Sequence, residues 1–586
     1  MASDYLGPTA LVASPDRSML YVACADARQI LFVELPAGSI RRRMDMPARP
    51  TDVQLTPDGS KLIVTCGAAE STIVVMDAGT GHTLAAIPAG HTAMGSALAP
   101  DGSRLYVCNR FDNDVSVIDL SAGREIGRIA AVREPIAAAV TCDGRTVVVA
   151  NHLPNMRTNG GLLDSVAAVV TIIDTGSRET AEVELLSGAH ALRDIGVSHD
   201  GRHAFVTHLM ANFQMVPFRV DMGWINTNVV SVIDTRERKL LSTIGLDEFH
   251  QGCGNPWGLV GAGDGEWVCV SQAGTHELSV IKTSELLSDL AKRTMSPMMG
   301  VWPIYPGLGE TLWRRIKLAG NGPRGLAAVG STVYVAEYFS DTVSVVDLAN
   351  LDDEPVRSIA LGPPPNLTLE RRGEMLFHDA TICYQRWQSC SSCHPDGRGD
   401  ALSWDLMNDG VANPKNTKSM LLSHRTPPVM ARGTRDSAEE AVRAGLAGIL
   451  FVNRPEEEAV AIDAYLDSLQ PVPSPYRVDG QLSAAAERGR ERFHSQRVAC
   501  HRCHPAPRYT DLKSHNVGTR TTHELNDRYD TPTLVEVWRS APYLHDGRYT
   551  TLRELLVEGK HGLDRSRSEE LNDEELNDLV EFVLSL

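Results

Sequence analysis

SPDRS (14–18), TPDGS (56–60) and APDGS (99–103), continued by TCDGR (141–145) and SHDGR (198–202), mark a recurring turn, and its first three intervals are 42, 43 and 42 residues. Pro sets φ for a turn's second position, and Asp-Gly supplies the acceptor and the left-handed residue that close it. Each turn leads into a β-branched or aromatic run: LYVAC, LIVTC, LYVCN, VVVAN, AFVTH. A second run follows, usually ending in Asp: IVVMD, VSVID, VTIID, VSVID, LSVIK, VSVVD, with the weaker ILFVE in the first unit. Such runs suit a pleated, half-buried surface. A period near 42 with four strands per unit predicts the blades of an all-β propeller, and seven units are counted over 1–362. Units four to six are longer and carry insertions. The first and last units each supply four strands, so the ring is expected to close without a borrowed strand.

The pattern changes after LGPPPNL (361–367), whose prolines forbid helix. LERRGEMLFHD (369–379) reads as an amphipathic helix, CSSCH (390–394) follows, and EEEAVAIDAYLDSL (456–469) is again helical. PVPSP (471–475) interrupts the chain. LSAAAERGRERFHS (482–495) then repeats the first helix, CHRCH (500–504) follows, and a helix closes the chain. Two thiols three positions apart can both add to the vinyl groups of one haem, and the adjacent His becomes the proximal ligand. Cys390, Cys393 and His394 form one such set, and Cys500, Cys503 and His504 the other. A zinc site competes for any CxxC pair, but two CxxCH motifs within matching helical contexts argue for haem. The expectation is a multidomain chain: a seven-bladed propeller (1–362) followed by two mainly α, class-I-like cytochrome c domains (363–475 and 476–586). It carries two covalently bound c-type haems.

A net charge of −18 makes nucleic acid and anionic lipid poor partners, and a small redox-partner protein or electron acceptor is expected instead. No apolar run is long enough to form a transmembrane segment. The start, MASDYLGPTALV, lacks the charged-then-apolar pattern of a secretory signal. Bacterial c-type haem is attached outside the cytoplasm, so a periplasmic or extracellular protein is expected, with its signal absent from this sequence. The seven cysteines outside the haem motifs read as small apolar filler, and no disulfide is expected.

The strand runs resemble the YVTN family of β-propellers, which implies fold and little about function. GEMLFHD before the first motif, RTPPVMARG (425–433) after it, and DTPTLVEVWRSAPYLHDGRYTTL (530–552) after the second resemble the bacterial dihaem cytochrome c peroxidase and MauG-like family. That resemblance covers about 368–586. It implies an oxidoreductase in which one haem reacts with peroxide or an organic substrate and the other relays electrons. The sequence departs from the family at three places. The distal His position falls near Gly410, leaving Met407, Met420 and His424 as nearby candidates. The acid over the reactive iron falls at Ile449, and the Trp between the haems at Ala431. At the second haem, the family's sixth ligand falls at Gly559, and His561 in the loop GKHG is the candidate distal ligand. His545 is expected to hydrogen-bond around the site, and His515 and His523 stay unassigned.

Two further functions compete. One is a non-catalytic electron carrier in which the propeller docks a partner. The other is a propeller-borne site whose electrons drain through the haems. For the last, His152, His208 and His276 stand at corresponding second-strand ends of three successive blades, beside insertions at 153–166 and 209–228. Imidazoles converging there suit an additional metal. The alternatives are that these residues cap strand ends by hydrogen bonding or line a metal-free substrate site. Glu277, Asn255, Trp257, Arg324 and Tyr338 are expected as neighbours.

Overall fold

A computed structural model describes residues 5–155, 165–217, 220–223, 225–292, 304–305, 313–352, 355–406, 413–562 and 571–586. Seven antiparallel sheets follow one another along the chain, at 8–45, 49–89, 93–130, 135–184, 189–245, 256–317 and 323–360. Each is built from four antiparallel strands that follow in chain order, and the first strands of neighbouring blades pack side by side around the axis. Blade five gains a short fifth strand, Ile304–Tyr305, parallel to Lys239–Gly245. The insertions of blades four and five lie between second and third strands, as expected, whereas blade six carries its own between Glu277–Lys282 and Trp313–Lys317.

The repeated turn has a physical cause. In TPDGS, the Asp58 carboxylate accepts from Thr56 Oγ (2.6 Å) and Ser60 N (3.0 Å), while Gly59 takes φ +70°. The same arrangement recurs at Asp143 and Asp200. The ring closes by packing. Leu11, Leu20 and Val22 of blade one share a core with Val345, Ile359 and Leu361, and Asp341 accepts from the backbone N of Gly7 (2.9 Å) and Leu6 (3.1 Å).

The remainder is helical and made of two similar units. In the first, the helix Leu369–His378 crosses Glu456–Ser468 so closely that a Cβ on Gly373 would lie 1.8 Å from the Ala461 carbonyl oxygen. In the second, Ala484–His494 crosses Asp573–Leu584, and a Cβ on Gly489 would lie 1.9 Å from Asp578 O. Thr368 and Ser483 cap the two leading helices, accepting from Arg371 N and Ala486 N. The crossing glycines are one of three letters that RRGEMLF (371–377) and ERGRERF (487–493) share, with an Arg before them and a Phe after. None of the eleven cysteines is in a disulfide. No helix among the described residues is long and apolar enough to cross a membrane.

The helical units sit on the propeller face from which the second-to-third-strand loops emerge. Asn255 donates to Ser389 Oγ (2.7 Å) and accepts from Ser392 Oγ (2.7 Å), while His190 Nε2 meets Ser392 O (3.1 Å). Asn228 donates to Trp387 O (3.1 Å). Ser391 and Ser392, the two residues between the paired thiols, are buried by these contacts.

Candidate haem sites

The segment Cys390–Cys393 forms one helical turn that ends at His394. Cys390 packs against a core that includes Leu376, Phe377, Leu466 and Met420. Cys393 packs instead beside Leu402, Trp404, Ala211 and Ile225, the last two from the blade-five insertion. The imidazole of His394 donates from Nδ1 to the carbonyl of Arg398 (3.1 Å). In the second unit, His504 donates from Nδ1 to the carbonyl of Tyr509 (2.8 Å), and Cys500 lies against Phe493, Leu579 and Phe582. A carbonyl can only accept, so both rings carry their proton on Nδ1 and present a bare Nε2 lone pair. Burial lowers both imidazole pKa values, which keeps them neutral and ligand-competent. The same orientation of a ligating His by a backbone carbonyl is what a bound iron requires. These residues therefore fit a haem in each unit.

His561 is the expected distal ligand of the second site. Its Nδ1 is buried without a hydrogen-bond partner, and its pKa is pushed down to about 4 by burial, with His504 contributing. His545 stacks on Tyr529 (4.0 Å, 5°), donates from Nε2 toward Thr519 O (3.3 Å) and has Glu524 3.3 Å from Nδ1. His515 pairs with Asp511 (2.8 Å), and His523 is exposed.

Around the first site, Met407 and Gly410 lie outside the described residues. His424 is held by Asp463 (3.0 Å), which Arg443 also engages. Met420 remains on the core that contains Cys390. Ile449 presents a carbonyl to Gln388 Nε2 (2.9 Å), so an amide rather than an acid is its polar neighbour. The Ala431 carbonyl accepts from Asp530 N (3.1 Å), and Trp404 donates its indole proton to Asp400 (2.8 Å).

The expected imidazole cluster on the propeller does not form. His152 donates from Nδ1 to Leu192 O (2.8 Å). His208 is not at a strand end but within the nine-residue strand His203–Ala211, bonded to Leu209 O and Ser231 Oγ. His276 sits in a turn at φ 58°, accepts from Gly322 N and lies 3.5 Å from Asp379. Each ring makes local bonds, and His152 Nε2 is buried without a hydrogen-bond partner. Among the described residues, only Cys503, Asp511 and His515 bring three possible metal-ligand atoms within 4.8 Å of one another. Of the expected neighbours, Trp257, Arg324 and Tyr338 do come together, with the Arg324 guanidinium 3.5 Å from the Trp257 ring centre and 5.3 Å from that of Tyr338.

Sequence reasoning missed the polar groups that join the parts. Arg110 bridges Glu134 (2.7 Å) and Asp396 (2.7 Å), two residues beyond His394. Arg398 pairs with Glu536 of the second unit (2.7 Å), and Arg133 donates to Ala541 O (2.8 Å). Their only signal in the sequence is charged residues beside apolar runs.

No family model matches the chain. Hydrazine synthase subunit gamma of Kuenenia stuttgartiensis is 30% identical over 273 residues, covering 37% of this chain and 77% of that protein. Hydrazine synthase subunit beta of the same organism is 25% identical over 201 residues, covering 33% of this chain and about half, 52%, of that protein. The methylamine utilization protein MauG of Methylorubrum extorquens is 23% identical over 284 residues, covering 36% of this chain and 76% of that protein. Among solved structures, a chain of Kuenenia stuttgartiensis hydrazine synthase superposes with a TM-score of 0.54 at 23% identity, covering 59% of this chain and 97% of that one. This last likeness shows the fold.

Proposed function

The chain belongs to the family of hydrazine synthase subunit gamma, and from that premise we propose that it is an exported dihaem c-type oxidoreductase. The observation that carries this reading is the pair of CxxCH imidazoles, each anchored through Nδ1 to a carbonyl of its own loop. Cys390, Cys393 and His394 would hold one haem, and Cys500, Cys503 and His504 the other. Bound haem supplies one-electron chemistry and an iron that can take an exogenous ligand. The domains are 1–362, 363–475 and 476–586.

The two sites divide the work. His561, with its unpartnered buried nitrogen, completes the second site as distal ligand and suits it to electron relay. A bis-His iron is low-spin and of lower potential than a His/Met one. In the first site His424 is tied to Asp463, which leaves this site to react with peroxide or an organic substrate. The protein's own contribution there is exclusion of water and orientation of His394. Asn255, His190 and the blade-five insertion enclose the CSSCH turn, and Arg398 holds the imidazole.

The propeller is a docking element fused to the redox module. A small redox protein or electron acceptor exchanges electrons with the second site. Haem attachment places the protein in the periplasm or outside the cell.

Intact-mass measurement and the pyridine haemochrome spectrum of exported protein test the cofactor reading: two thioether-linked haems are expected. Electron paramagnetic resonance of the ferric protein tests the division of labour, with one low-spin and one high-spin centre expected. Two low-spin centres would favour the second reading, electron transfer without catalysis, for which the absence of an acid at Ile449 speaks.

A further inference from the structure

The two CxxCH turns differ in what covers them. The propeller closes over the first: Ser391 and Ser392, between the paired thiols, are 5% and 0% exposed and are held by Asn255 and His190. The second turn faces outward. Arg502, between Cys500 and Cys503, is exposed, and so are Pro505, Pro507 and Arg508 beyond His504. A protein partner can therefore approach the second pair of thiols, whereas the propeller already occupies the turn between the first pair.

Charge on this side runs against the rest of the chain. The protein carries a net −18, with 74 acidic and 56 basic residues, yet from Arg492 to Arg520 it has six arginines and lysines and a single acid, Asp511. That acid is engaged by His515 at 2.8 Å. Arg502 and Arg508 donate to neutral acceptors, Gln496 Oε1 (2.6 Å) and the Arg425 carbonyl (2.8 Å), which leave their charges uncancelled. With exposed Lys513 they make three cations in one loop, none paired with a carboxylate among the described residues. The loop is held at Tyr509, whose carbonyl accepts from His504 Nδ1, and at Lys513, whose carbonyl accepts from Thr531 N (3.0 Å). Leu512, 39% exposed, adds apolar area beside Lys513. Apolar area beside charges of one sign suits a transient protein contact.

The carboxylates of a bound haem do not account for these cations. A haem carries them on the edge opposite its vinyl groups, and Arg502 lies between the two thiols that would bind the vinyls. All three side chains, moreover, reach water, where a cation needs no counter-charge from the protein.

We propose that the surface formed by Arg502, Arg508, Leu512 and Lys513 docks a small acidic electron-carrier protein. The proposal rests on the reading of the second haem as the relay site. Complementary charge raises the rate of encounter and fixes orientation, and a chain that is acidic elsewhere repels the same partner from its other faces.

The test uses the holoprotein with both haems and flavodoxin, an acidic one-electron carrier, as the probe. Both proteins are kept oxidised, so that binding is read without electron transfer; the relay reading itself is decided separately, by the ferric spectrum of the second haem. Calorimetry is expected to show one-to-one binding at low ionic strength that weakens as salt is added. Reversal of the three charges together, Arg502→Glu, Arg508→Glu and Lys513→Glu, should lower the affinity roughly tenfold or more. The same change of net charge at Arg17, Arg104 and Arg124, exposed near turns on the opposite face of the propeller, should leave it within about twofold, since charges beyond a Debye length are screened. Carbodiimide, which joins a lysine amine to a carboxylate, supplies a readout on the wild type that needs no variant: a cross-link from Lys513 to flavodoxin is expected. No binding at low ionic strength, an equal loss in both triple variants, cross-links only at other lysines, or binding of phosphatidylglycerol vesicles in place of flavodoxin would overturn the proposal.

Discussion

Arg398 donates to both carboxylate oxygens of Glu536, at 3.0 and 2.7 Å, while its own carbonyl accepts from His394 Nδ1. One residue thus connects the ligand of the first haem site to the second unit. Glu536 also accepts from Val472 N in the linker. Both partners are buried, so removal of one leaves an uncompensated charge.

Glu536→Ala is therefore expected to destabilise the protein by about 3–5 kcal/mol, the usual cost of breaking a buried ion pair. The first haem should respond more than the second, although Glu536 belongs to the second unit, because Arg398 orients His394. Urea unfolding followed at the Soret band measures the first effect, and haem-resolved redox titration the second. A loss under about 1 kcal/mol, typical of an exposed pair, would show that water reaches this contact.

His561→Ala should turn the second haem high-spin or raise its potential, since a bis-His iron has the lower potential. The motive is the buried, unpartnered Nδ1, together with the electrostatic influence of His504 on this imidazole. The ferric spectrum and potential check it. A spectrum and potential identical to wild type would remove His561 from the coordination sphere.

The pH dependence of docking rests on Glu134. Burial opposes its ionisation, but Arg110, Arg539, His152 and Arg133 outweigh it, and the pKa falls from 4.5 to about 2. A carboxyl with a lower pKa in the folded state contributes its full stabilisation above the unfolded value. It loses that contribution as pH falls through the folded one. Glu134→Gln should accordingly lower the melting temperature at pH 7, and the difference from wild type should fade between pH 4.5 and about 2. A difference that grows on acidification would contradict the assignment.

How far the sequence reached can be seen in these same residues. The turn at 56–60 was legible because its geometry is local: Thr56, Asp58 and Ser60 bond to one another. The repeat of the helix at 369–379 in 482–495 was legible, whereas the role of Gly373 and Gly489 shows only in the close crossings, where a Cβ would meet a backbone carbonyl. His208 was misread because the strand continues to Ala211, past the point where β-branched residues stop; pairing with Asn226–Asp234 sustains it. Arg398–Glu536 and Asn255–Ser392 join residues more than a hundred positions apart, and nothing in local pattern selects one distant polar partner over another.

Asn255 offers a test of the docked interface. It meets Ser389 and Ser392 through both ends of its amide, and all three are buried. Asn255→Leu would leave these hydroxyls without their partner, at roughly 1–3 kcal/mol for each unsatisfied buried group. Limited proteolysis at 361–367 should then release the propeller faster than in wild type. Equal cleavage rates would show that the serines find other partners.

Reaction with peroxide, under the proposed division, belongs to the first haem and should be slow. The position where related enzymes carry an acid is Ile449, whose polar neighbour is the Gln388 amide. An amide cannot accept the proton that must leave peroxide as the O–O bond breaks. A positioned acid–base group is typically worth ~10²–10⁴-fold in rate. Stopped-flow mixing of the ferric protein with stoichiometric peroxide should therefore give a spectral change confined to the high-spin centre, at a rate that Ile449→Glu increases. The gain should follow ionisation of the introduced carboxyl, appearing as pH rises through its pKa. Rapid reaction in the wild type would reveal a proton acceptor elsewhere around His394, with Asp400 the first to replace.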